Sequence, residues 1–514
     1  MDNSDMYHRA LSMPWDHYVF SMLWNTYHSM GIWKAFPLLY PGPLLGKITV
    51  LRATYHAWKG DIHLDMWYCH QKYGPIVRYG PDHVLFDTAS GLKDIYSTGR
   101  NVWKHRNTSV LNPNAANLVT MYDKKEHAKR RRIIGPLFAD SKMKKFEDTL
   151  LHHIETFCEQ LHPSQTAHHN ANDWGPAINM SHCCNYLIFD IFTEFLFGIS
   201  YNLQQTDEYR YVVRCIEDAA IRSAVLICFP CIAIWRLDRK IFKQSVDCTR
   251  ALWKWIRLTD NIFGYLSNPK DGQTEVPLSV QNIESEVGVL IVAGLDTTST
   301  AMASLFFYLS RNLYAYERVA LEVRTTFQSA DEIRLGPRLK SCVYLHACID
   351  ESMRMSPPIG LCPWRQAGEG GEIVDGHFIP EGYCVGTGIY SIHHNAAYFP
   401  SPHEFIPERW LPDSEGKKEQ LATAKFAFNP FSLGPRSCIG KLLAYSELLL
   451  TMAVLIWKHD FQVAPGPGGK LGAGCQDDGG EAAGRGNPGE FQVVDQIIRL
   501  KDGPMLQFRP RQLA

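Results

Sequence analysis

The sequence has no excess of charge of either sign, since 52 lysines and arginines stand against 53 aspartates and glutamates. A net charge of −1 provides no broad basic surface, so we expect no nucleic acid among the partners of this protein. Cysteines are also sparse, with 14 in 514 residues at irregular spacing. This pattern excludes a small disulfide-stabilised scaffold, and we expect mostly reduced thiols in a catalytic body that faces the cytosol.

No uninterrupted apolar run long enough to cross a bilayer occurs in residues 1–40, because Asp16, Asn25 and Lys34 are among the polar residues that divide it. A spanning helix needs about 20 mostly apolar residues. The segment is nevertheless rich in Trp, Tyr and Phe, which suits an interfacial position. We predict a membrane-interacting segment over residues 1–40, with a shortened start as the alternative, and one catalytic domain over residues 41–514.

Three stretches predict ordinary structural elements. Val77–Phe86 combines alternating residues with turn residues, which indicates a short strand pair. Residues 180–200 predict one buried helix that ends at Phe197-Gly198. Residues 464–489 are rich in glycine and indicate a flexible loop within a C-terminal hairpin, and their Gly-x-Gly fragments lack the strand and helix of a dinucleotide site.

One cysteine differs from the others in its setting. Cys438 lies between a loop rich in Pro and Gly and an apolar helical pattern over Ile439–Lys458. The partial positive charge at a helix N-terminus favours a thiolate, by roughly 0.3–1 kcal/mol in exposed cases. Most cysteines are small buried apolar side chains, and that is the alternative for Cys438 taken alone.

The residues around Cys438 suit a shielded thiolate. Gly434 and Gly440 have no Cβ, so their backbone can approach a flat group, and Gly434 also permits angles that direct N–H groups toward the sulfur. Arg436 can reach an anionic group such as a haem propionate, and Phe431 can pack against the sulfur and exclude water. A shielded thiolate with N–H donors and a nearby cation is what an axial haem ligand requires.

The longest helical pattern covers roughly Ser279–Arg311 and carries small residues in its middle. Ala293, Gly294 and Thr297 fall on one stripe by helical spacing, and Asp296 lies beside them. A glycine inside a helix costs about 0.5–1 kcal/mol relative to alanine, so we expect the space beside it to be used. The functional interpretation is a groove beside a cofactor, and the alternative is a kinked core helix.

In their order along the chain, these motifs resemble the cytochrome P450 family. The string from Phe431 to Gly440 matches the haem-ligand signature of that family at every fixed position, with Ser432 in place of a common glycine. The string Ala293–Thr298 matches the family pattern on the long helix. The resemblance covers about residues 41–512. It implies a mainly α fold with a small β region, the cytochrome P450 fold, and haem b (iron protoporphyrin IX) ligated through its iron by Cys438.

The same resemblance implies roles for the small residues of the long helix. Ala293 and Gly294 would lie against the haem, where dioxygen binds. Thr297 would be catalytic by donating a hydrogen bond to the distal oxygen atom. Asp296 would be catalytic by helping to relay the protons that O–O cleavage needs.

A dense basic run occupies residues 124–132. A solvated helix face is the ordinary interpretation of such a run. His127 and Arg131 are spaced i, i+4 and share a face, and the resemblance implies that they hold haem propionates together with Arg365. The remaining cations would form a docking surface for an acidic reductase, because complementary charge speeds encounter.

Two further motifs are expected to be structural. Glu351 and Arg354 are spaced i, i+3 and can form an ion pair on one helix face. Pro407-Glu408-Arg409-Trp410 follows downstream. The resemblance implies that Arg409 completes a Glu–Arg–Arg network that locks the haem-binding core.

The implied reaction is the monooxygenation of a lipophilic small molecule. Electrons would come from NADPH through a separate NADPH–cytochrome P450 reductase, because the sequence shows no flavin domain. Apolar or small residues in Thr108–Met121, Ala224–Trp235 and Ile359–Pro363 would line the substrate pocket, with Ala224–Trp235 as a lip that touches the membrane.

The resemblance is strongest to fungal secondary-metabolite members, and it implies an endoplasmic reticulum membrane surface with the catalytic domain in the cytosol. Two alternatives remain. One is a haem-thiolate isomerase or dehydratase that needs neither dioxygen nor reductase, and the other is a non-catalytic haem-binding protein.

Overall fold

The computed structural model describes residues 40–161, 174–257, 278–412, 415–475 and 486–511. The predicted membrane-interacting segment lies outside these residues except for Tyr40. Part of the predicted glycine-rich loop, residues 476–485, also lies outside them.

The α-helices of the described residues are numbered here in chain order. They are α1 (Leu44–Ile48), α2 (Leu51–Lys59), α3 (Ile62–Tyr73), α4 (Ala89–Tyr96), α5 (Lys124–Ile134), α6 (Asp140–Leu161), α7 (Met180–Phe197), α8 (Arg210–Cys228), α9 (Cys231–Ile234), α10 (Asp238–Ile241), α11 (Lys243–Arg257), α12 (Val280–Arg311), α13 (Leu313–Thr326), α14 (Pro337–Lys340), α15 (Val343–Met355), α16 (Ile389–His393), α17 (Glu415–Ala427) and α18 (Lys441–Lys458).

The strands are short and form small sheets. They are β1 (Ile76–Gly80), β2 (His83–Phe86), β3 (Val102–Lys104), β4 (Ile178–Asn179), β5 (Arg365–Ala367), β6 (Glu372–Val374), β7 (His377–Ile379), β8 (Cys384–Gly386), β9 (His459–Val463), β10 (Val493–Gln496), β11 (Ile498–Lys501) and β12 (Met505–Pro510). This mainly helical architecture with a small β region is the fold class that the sequence predicted.

The centre of the molecule is α12, which begins and ends where the sequence predicted. The Ser279 hydroxyl caps it by accepting a hydrogen bond from the Asn282 N–H. Most of the helix is buried, and it packs against α7, α15 and α18. In the described part of the chain, α12 is the one helix long and apolar enough to cross a membrane, but its burial is that of a core helix.

Two more predicted elements are confirmed. The buried helix is α7, which Asn179 caps at its start and Gly198 ends with a left-handed φ of 68°. The strand pair is β1 and β2, which are antiparallel. They belong to a five-stranded sheet in the order β1-β2-β8-β5-β3, in which Lys104 of β3 pairs with Arg365 of β5. The sheet therefore brings two cations side by side.

The Ala224–Trp235 stretch differs from the predicted lip. Its first part belongs to α8, where Ala224 is buried in the same apolar cluster as Ala57 of α2. Only Trp235 at the far end is strongly exposed, at 61%. The apolar residues of its first part therefore stabilise helix packing, which periodicity alone does not distinguish from a surface lip.

Glu351, Arg354 and Arg409 meet in one buried ionic network. Arg354 Nη2 lies 2.9 Å from Glu351 Oε1, and Arg409 Nε lies 3.0 Å from the same oxygen. Trp410 Nε1 donates to Glu351 Oε2 at 3.0 Å. Arg354 also donates to the carbonyls of His393, Pro402 and Glu404. One carboxylate thus joins α15 to the Pro407–Trp410 turn.

Replacing Glu351 by Gln should destabilise the protein strongly. Breaking a buried ion pair leaves an uncompensated charge and costs about 3–5 kcal/mol. The control is Arg318→Gln, which removes a partly exposed pair with Glu408 at 3.0 Å and should cost about 0–1 kcal/mol. Urea unfolding of both variants tests this, and equal losses of stability would contradict the structural role of Glu351.

Glu447 is a second buried carboxyl, and its environment differs. It lies on α18 with 1% exposure. Burial raises its pKa to about 8, and the nearby Thr298 of α12 acts in the opposite direction. The folded protein therefore favours the protonated acid, and this contribution to stability is full below the usual pKa of 4.5 and is lost as the pH rises to about 8.

Glu447→Gln should remove this loss, because the amide does not ionise. We expect the variant to gain stability relative to wild type as the pH rises from about 5 to about 8. Urea unfolding at both pH values measures the difference. The control is Glu419→Gln, whose side chain is exposed and which should follow the wild-type profile. Parallel profiles for Glu447→Gln and wild type would contradict the raised pKa.

Candidate active site

Cys438 lies in a tight turn directly before α18. Residues Gly434–Arg436 form a 3-10 turn, and the Cys438 N–H donates to the Phe431 carbonyl at 2.8 Å. The helix starts at Lys441 with Gly440 as its N-cap. The predicted start at Ile439 is therefore two residues early, because the chain must complete the turn before helical hydrogen bonding begins.

The Cys438 thiol has features of a ligand. Its side chain is exposed although the protein around it is dense. Burial raises the pKa of this thiol, whereas hydrogen bonds from the Gly440 and Lys441 N–H groups and the charges of Arg131 and Lys441 favour the thiolate. Because burial prevails, a stable thiolate here needs a further cation, and a coordinated metal ion deprotonates a thiol outright.

The two glycines of the turn serve different purposes. Gly434 has a φ of +66°, and a Cβ there would clash with the carbonyl oxygen of Tyr96. The missing side chain therefore fits against protein backbone, which differs from the expected approach to a flat ligand. At Gly440, an added Cβ would meet only Cys438 Sγ, at 3.9 Å. The sequence could not distinguish these two surroundings.

Phe431 packs beside the turn. Its ring lies 5.3 Å from the Tyr445 ring, and Lys441 Nζ lies 5.6 Å from its centre. The ring is half-buried. It covers the base of the turn from the side of α18.

One face of α12 is open in the middle of the core. Ala293 is exposed, and Val292, Gly294 and Thr297 are partly exposed, although most of the helix is buried. The Thr297 hydroxyl donates to the Ala293 carbonyl at 2.6 Å. A small exposed residue inside a core helix indicates an internal cavity along this face.

Gly294 is partly exposed, but the space that its side chain would occupy is filled by protein. A Cβ at Gly294 would overlap the ring of Phe192 on α7. Its missing side chain therefore permits close packing of two helices, which is a use of this space that the sequence did not predict. Its neighbour Ala293 is the more exposed of the two.

Asp296 points toward the C-terminal hairpin. Its Oδ2 accepts from the Arg499 N–H at 2.9 Å, and Lys501 Nζ lies 3.8 Å from Oδ1. Burial raises the pKa of Asp296, and the charge of Lys501 and the Arg499 N–H act in the opposite direction. Successive residues of a helix are about 100° apart, so Asp296 and Thr297 face different surroundings.

A basic cavity of about 680 Å³ lies beside the cysteine turn. Its lining includes His127, Arg131, Arg365 and Arg436. These are the four residues that the sequence assigned to an anionic ligand. None of the described lining residues is acidic.

Three of the guanidinium groups that line this cavity are held by main-chain carbonyls. Arg131 donates to Ser437, Arg436 to Tyr122, and Arg365 to Pro363 and Trp364, at 2.7–3.2 Å. Carbonyls orient these cations but leave much of their charge uncompensated.

The positive charges that line the cavity, and that of Lys104 nearby, repel one another. The pKa of His127 is lowered to about 4 by burial and then by Arg436, Arg131, Lys104 and Arg365. Burial lowers the pKa of Lys104 well below its usual value, with Arg365 and Arg436 adding to the effect. Such crowding favours an anionic ligand, because two carboxylates would relieve it.

Sequence reasoning missed Lys104. It lies on the short strand β3, and no motif includes it. Only the pairing of β3 with β5 places it opposite Arg365. A basic residue in a strand of three residues carries no local signal of this position.

Taken together, these residues fit haem b. Arg131 lines the basic cavity and also acts on the Cys438 thiol, so the two features are neighbours. A thiol suits iron, and the cations suit the two propionates. The open face of α12 adds the small side chains that the sequence predicted to lie against the haem.

Comparisons with known proteins agree with this geometry. The family model described as "Cytochrome P450" matches residues 37–471. The chain is 42% identical over 483 residues to cytochrome P450 monooxygenase poxM of Penicillium oxalicum, with 91% of this chain and 89% of that protein covered. It is 40% identical over 485 residues to cytochrome P450 monooxygenase AKT7 of Alternaria alternata, with 91% and 92% covered.

A solved structure shows the same fold. The haem domain of a cytochrome P450DA mutant superimposes with a TM-score of 0.63 at 17% identity, over 84% of this chain and 87% of that one. The family model and the relatives carry the assignment beyond the fold. The chain belongs to the cytochrome P450 family and is a monooxygenase of that family.

Proposed function

We propose that this monooxygenase activates dioxygen with electrons from NADPH, delivered by a separate NADPH–cytochrome P450 reductase, and oxidises a lipophilic small molecule in secondary metabolism. The observation that carries this proposal is the exposed Cys438 thiol with its N–H donors, next to a basic cavity. The similarity to monooxygenases of filamentous fungi supports the metabolic setting. Residues 41–514 would form the catalytic domain.

Cys438 would ligate haem b, and His127, Arg131, Arg365, Arg436 and Lys104 would bind its propionates. When bound, haem supplies an iron centre at which dioxygen is activated. The Gly440 and Lys441 N–H groups would share the charge of the Cys438 thiolate. Phe431 would limit water at the turn.

Thr297 and Asp296 would take part in proton transfer from two different sides of α12. The Thr297 hydroxyl now donates to Ala293, and rotation about its side chain would turn that proton toward the open face. Asp296 holds a buried carboxylate beside the Lys501 ammonium. Lys501 also donates to Asn185 and Ser299. This polar chain would supply protons to the Asp296 carboxylate.

The reductase would dock on the exposed side of α5. Lys125, Lys129 and Arg132 are exposed there. Lys129 pairs with Glu126 at 2.8 Å, which leaves Lys125 and Arg132 as the stronger candidates for an acidic partner. Arg131 of the same helix faces the basic cavity, so the docking face lies close to the cofactor.

A membrane surface would contact the exposed apolar side chains of α1 and α2. Leu44, Ile48 and Trp58 are 79%, 80% and 54% exposed. α2 packs against α8, and the exposed Trp235 follows shortly after α8. These side chains would continue the interfacial contact predicted for residues 1–40 and place the enzyme on the endoplasmic reticulum membrane.

Cys438→Ala should abolish the thiolate signature of the haem-loaded protein. The measurement is the carbon monoxide difference spectrum of the reduced protein. Wild type should show a Soret band at the wavelength from which the family takes its name. Cys475→Ala is the control, because that cysteine is also exposed and should keep the band. Retention of the band in Cys438→Ala would contradict the ligand assignment.

The oxygenase reaction has its own test. With reductase present, consumption of NADPH should require dioxygen and the Cys438 thiol. Turnover of substrate without dioxygen and NADPH would favour a haem-thiolate isomerase or dehydratase instead.

Lys104→Gln should weaken haem retention. A hydrogen bond to a charged group contributes about 1.5–3 kcal/mol, so affinity should fall roughly tenfold to hundredfold. Transfer of haem to apomyoglobin measures it. Lys340→Gln, a change at an exposed lysine, is the control. Haem retention equal to wild type would exclude Lys104 from the propionate site.

A further inference from the structure

Three metal-binding side chains meet away from the proposed haem site. His394 follows α16, His403 lies in the loop before the Pro407–Trp410 turn, and Glu490 lies shortly before β10. One donor atom from each lies within 4.8 Å of the other two. The cluster joins three segments that are far apart in the sequence.

The tautomer of His394 leaves a lone pair directed into the cluster. Its Nδ1 lies 3.0 Å from the Tyr390 carbonyl oxygen. A carbonyl only accepts, so Nδ1 carries the proton and Nε2 is the unprotonated nitrogen. Nε2 is buried and has no hydrogen-bond partner.

Glu490 presents a second buried acceptor. Its Oε1 accepts from the Tyr390 hydroxyl at 2.6 Å. Its Oε2 is buried and has no hydrogen-bond partner. Two buried acceptors therefore face the same place without a donor between them. An unpaired buried polar group costs about 1–3 kcal/mol, and more when it is charged. A bound cation would satisfy both atoms.

His403 provides the third donor and access from solvent. Its side chain is 37% exposed, and its Nδ1 lies 3.8 Å from Glu490 Oε2. This separation exceeds that of a hydrogen bond, about 2.7–3.2 Å. In a tetrahedral zinc site with each ligand atom about 2.1 Å from the metal, two ligand atoms lie about 3.4 Å apart. The separation of 3.8 Å is closer to this value than to a hydrogen bond, so it suits a shared metal ion better than a direct bond.

We propose that His394 Nε2, His403 Nδ1 and Glu490 Oε2 bind one Zn²⁺ ion, with water in the fourth position. Two imidazoles and one carboxylate are a ligand set that zinc accepts in tetrahedral geometry. The Tyr390 carbonyl and hydroxyl hold His394 and Glu490 in place, as outer partners of metal ligands do. The site is independent of the haem chemistry.

The zinc ion would link the C-terminal segment to the core network. His394 directly follows His393, and His403 lies between Pro402 and Glu404. The carbonyls of His393, Pro402 and Glu404 all accept hydrogen bonds from Arg354. Glu490 precedes β10, which pairs with the β11 strand that bonds to Asp296. Bound zinc stabilises the folded state because the unfolded chain does not hold these ligands together.

Titration of the full-length, haem-loaded protein with ZnCl₂ after removal of metals with EDTA tests the proposal. Calorimetry should show one zinc ion bound per wild-type molecule. Glu490→Gln keeps the shape of the side chain, and His403→Ala changes an exposed residue. Each should weaken binding at least about tenfold, because even outer partners contribute 10–100-fold. His182→Ala, at an exposed histidine of α7, should bind as wild type does.

X-ray absorption at the zinc edge identifies the ligands. We expect nitrogen and oxygen neighbours at about 2.0–2.2 Å and no sulfur. Zinc should also raise the melting temperature of wild type and His182→Ala but not of His403→Ala. Unchanged affinity in His403→Ala, or sulfur bound to zinc, would overturn the proposal. Sulfur would place the metal elsewhere, for example at His83, His105 and Cys384.

Discussion

The ionisation of a partly enclosed thiol governs the arrangement of this molecule. Burial makes the Cys438 thiolate unfavourable, and two N–H groups with the charges of Arg131 and Lys441 recover only part of that cost. The turn that supplies these donors exists because Gly434 accepts a left-handed backbone against Tyr96 and because α18 starts at Lys441. The long apolar α18 then fixes the turn against α12. The fold thus supplies N–H donors and cations that favour a thiolate at Cys438.

The central helix α12 combines packing and chemistry in adjacent residues. Gly294 allows α7 to approach, and Ala293 is exposed. Asp296 bonds to β11, and Thr297 remains on the open face. Because neighbouring residues of a helix point in different directions, one short sequence can contact another helix, bond to a polar hairpin and leave a third side open.

Local patterns predicted much of this structure, and long-range pairing accounts for what they missed. The limits of α12, the helix α7 and the β1–β2 pair follow from periodicity and caps, which are properties of neighbouring residues. The cysteine turn and the meeting of Glu351 with Arg354 follow from motif spacing. Lys104 and the Phe192 contact of Gly294 depend on which strands and helices become neighbours. The cluster of His394, His403 and Glu490 depends on the path of the C-terminal segment, which no single stretch encodes.

Buried arginines separate into two classes once their partners are known. Arg354 and Arg409 share the Glu351 carboxylate, which compensates part of their positive charge within the protein. Arg365 and Arg436 bond only to carbonyls among their described hydrogen bonds, and they lower the pKa of His127 and Lys104 nearby. A fold gains nothing from crowding cations unless an anion joins them. The hydrogen-bond partners of each guanidinium therefore distinguish a structural network from a binding site. The sequence alone does not, because both contain arginine.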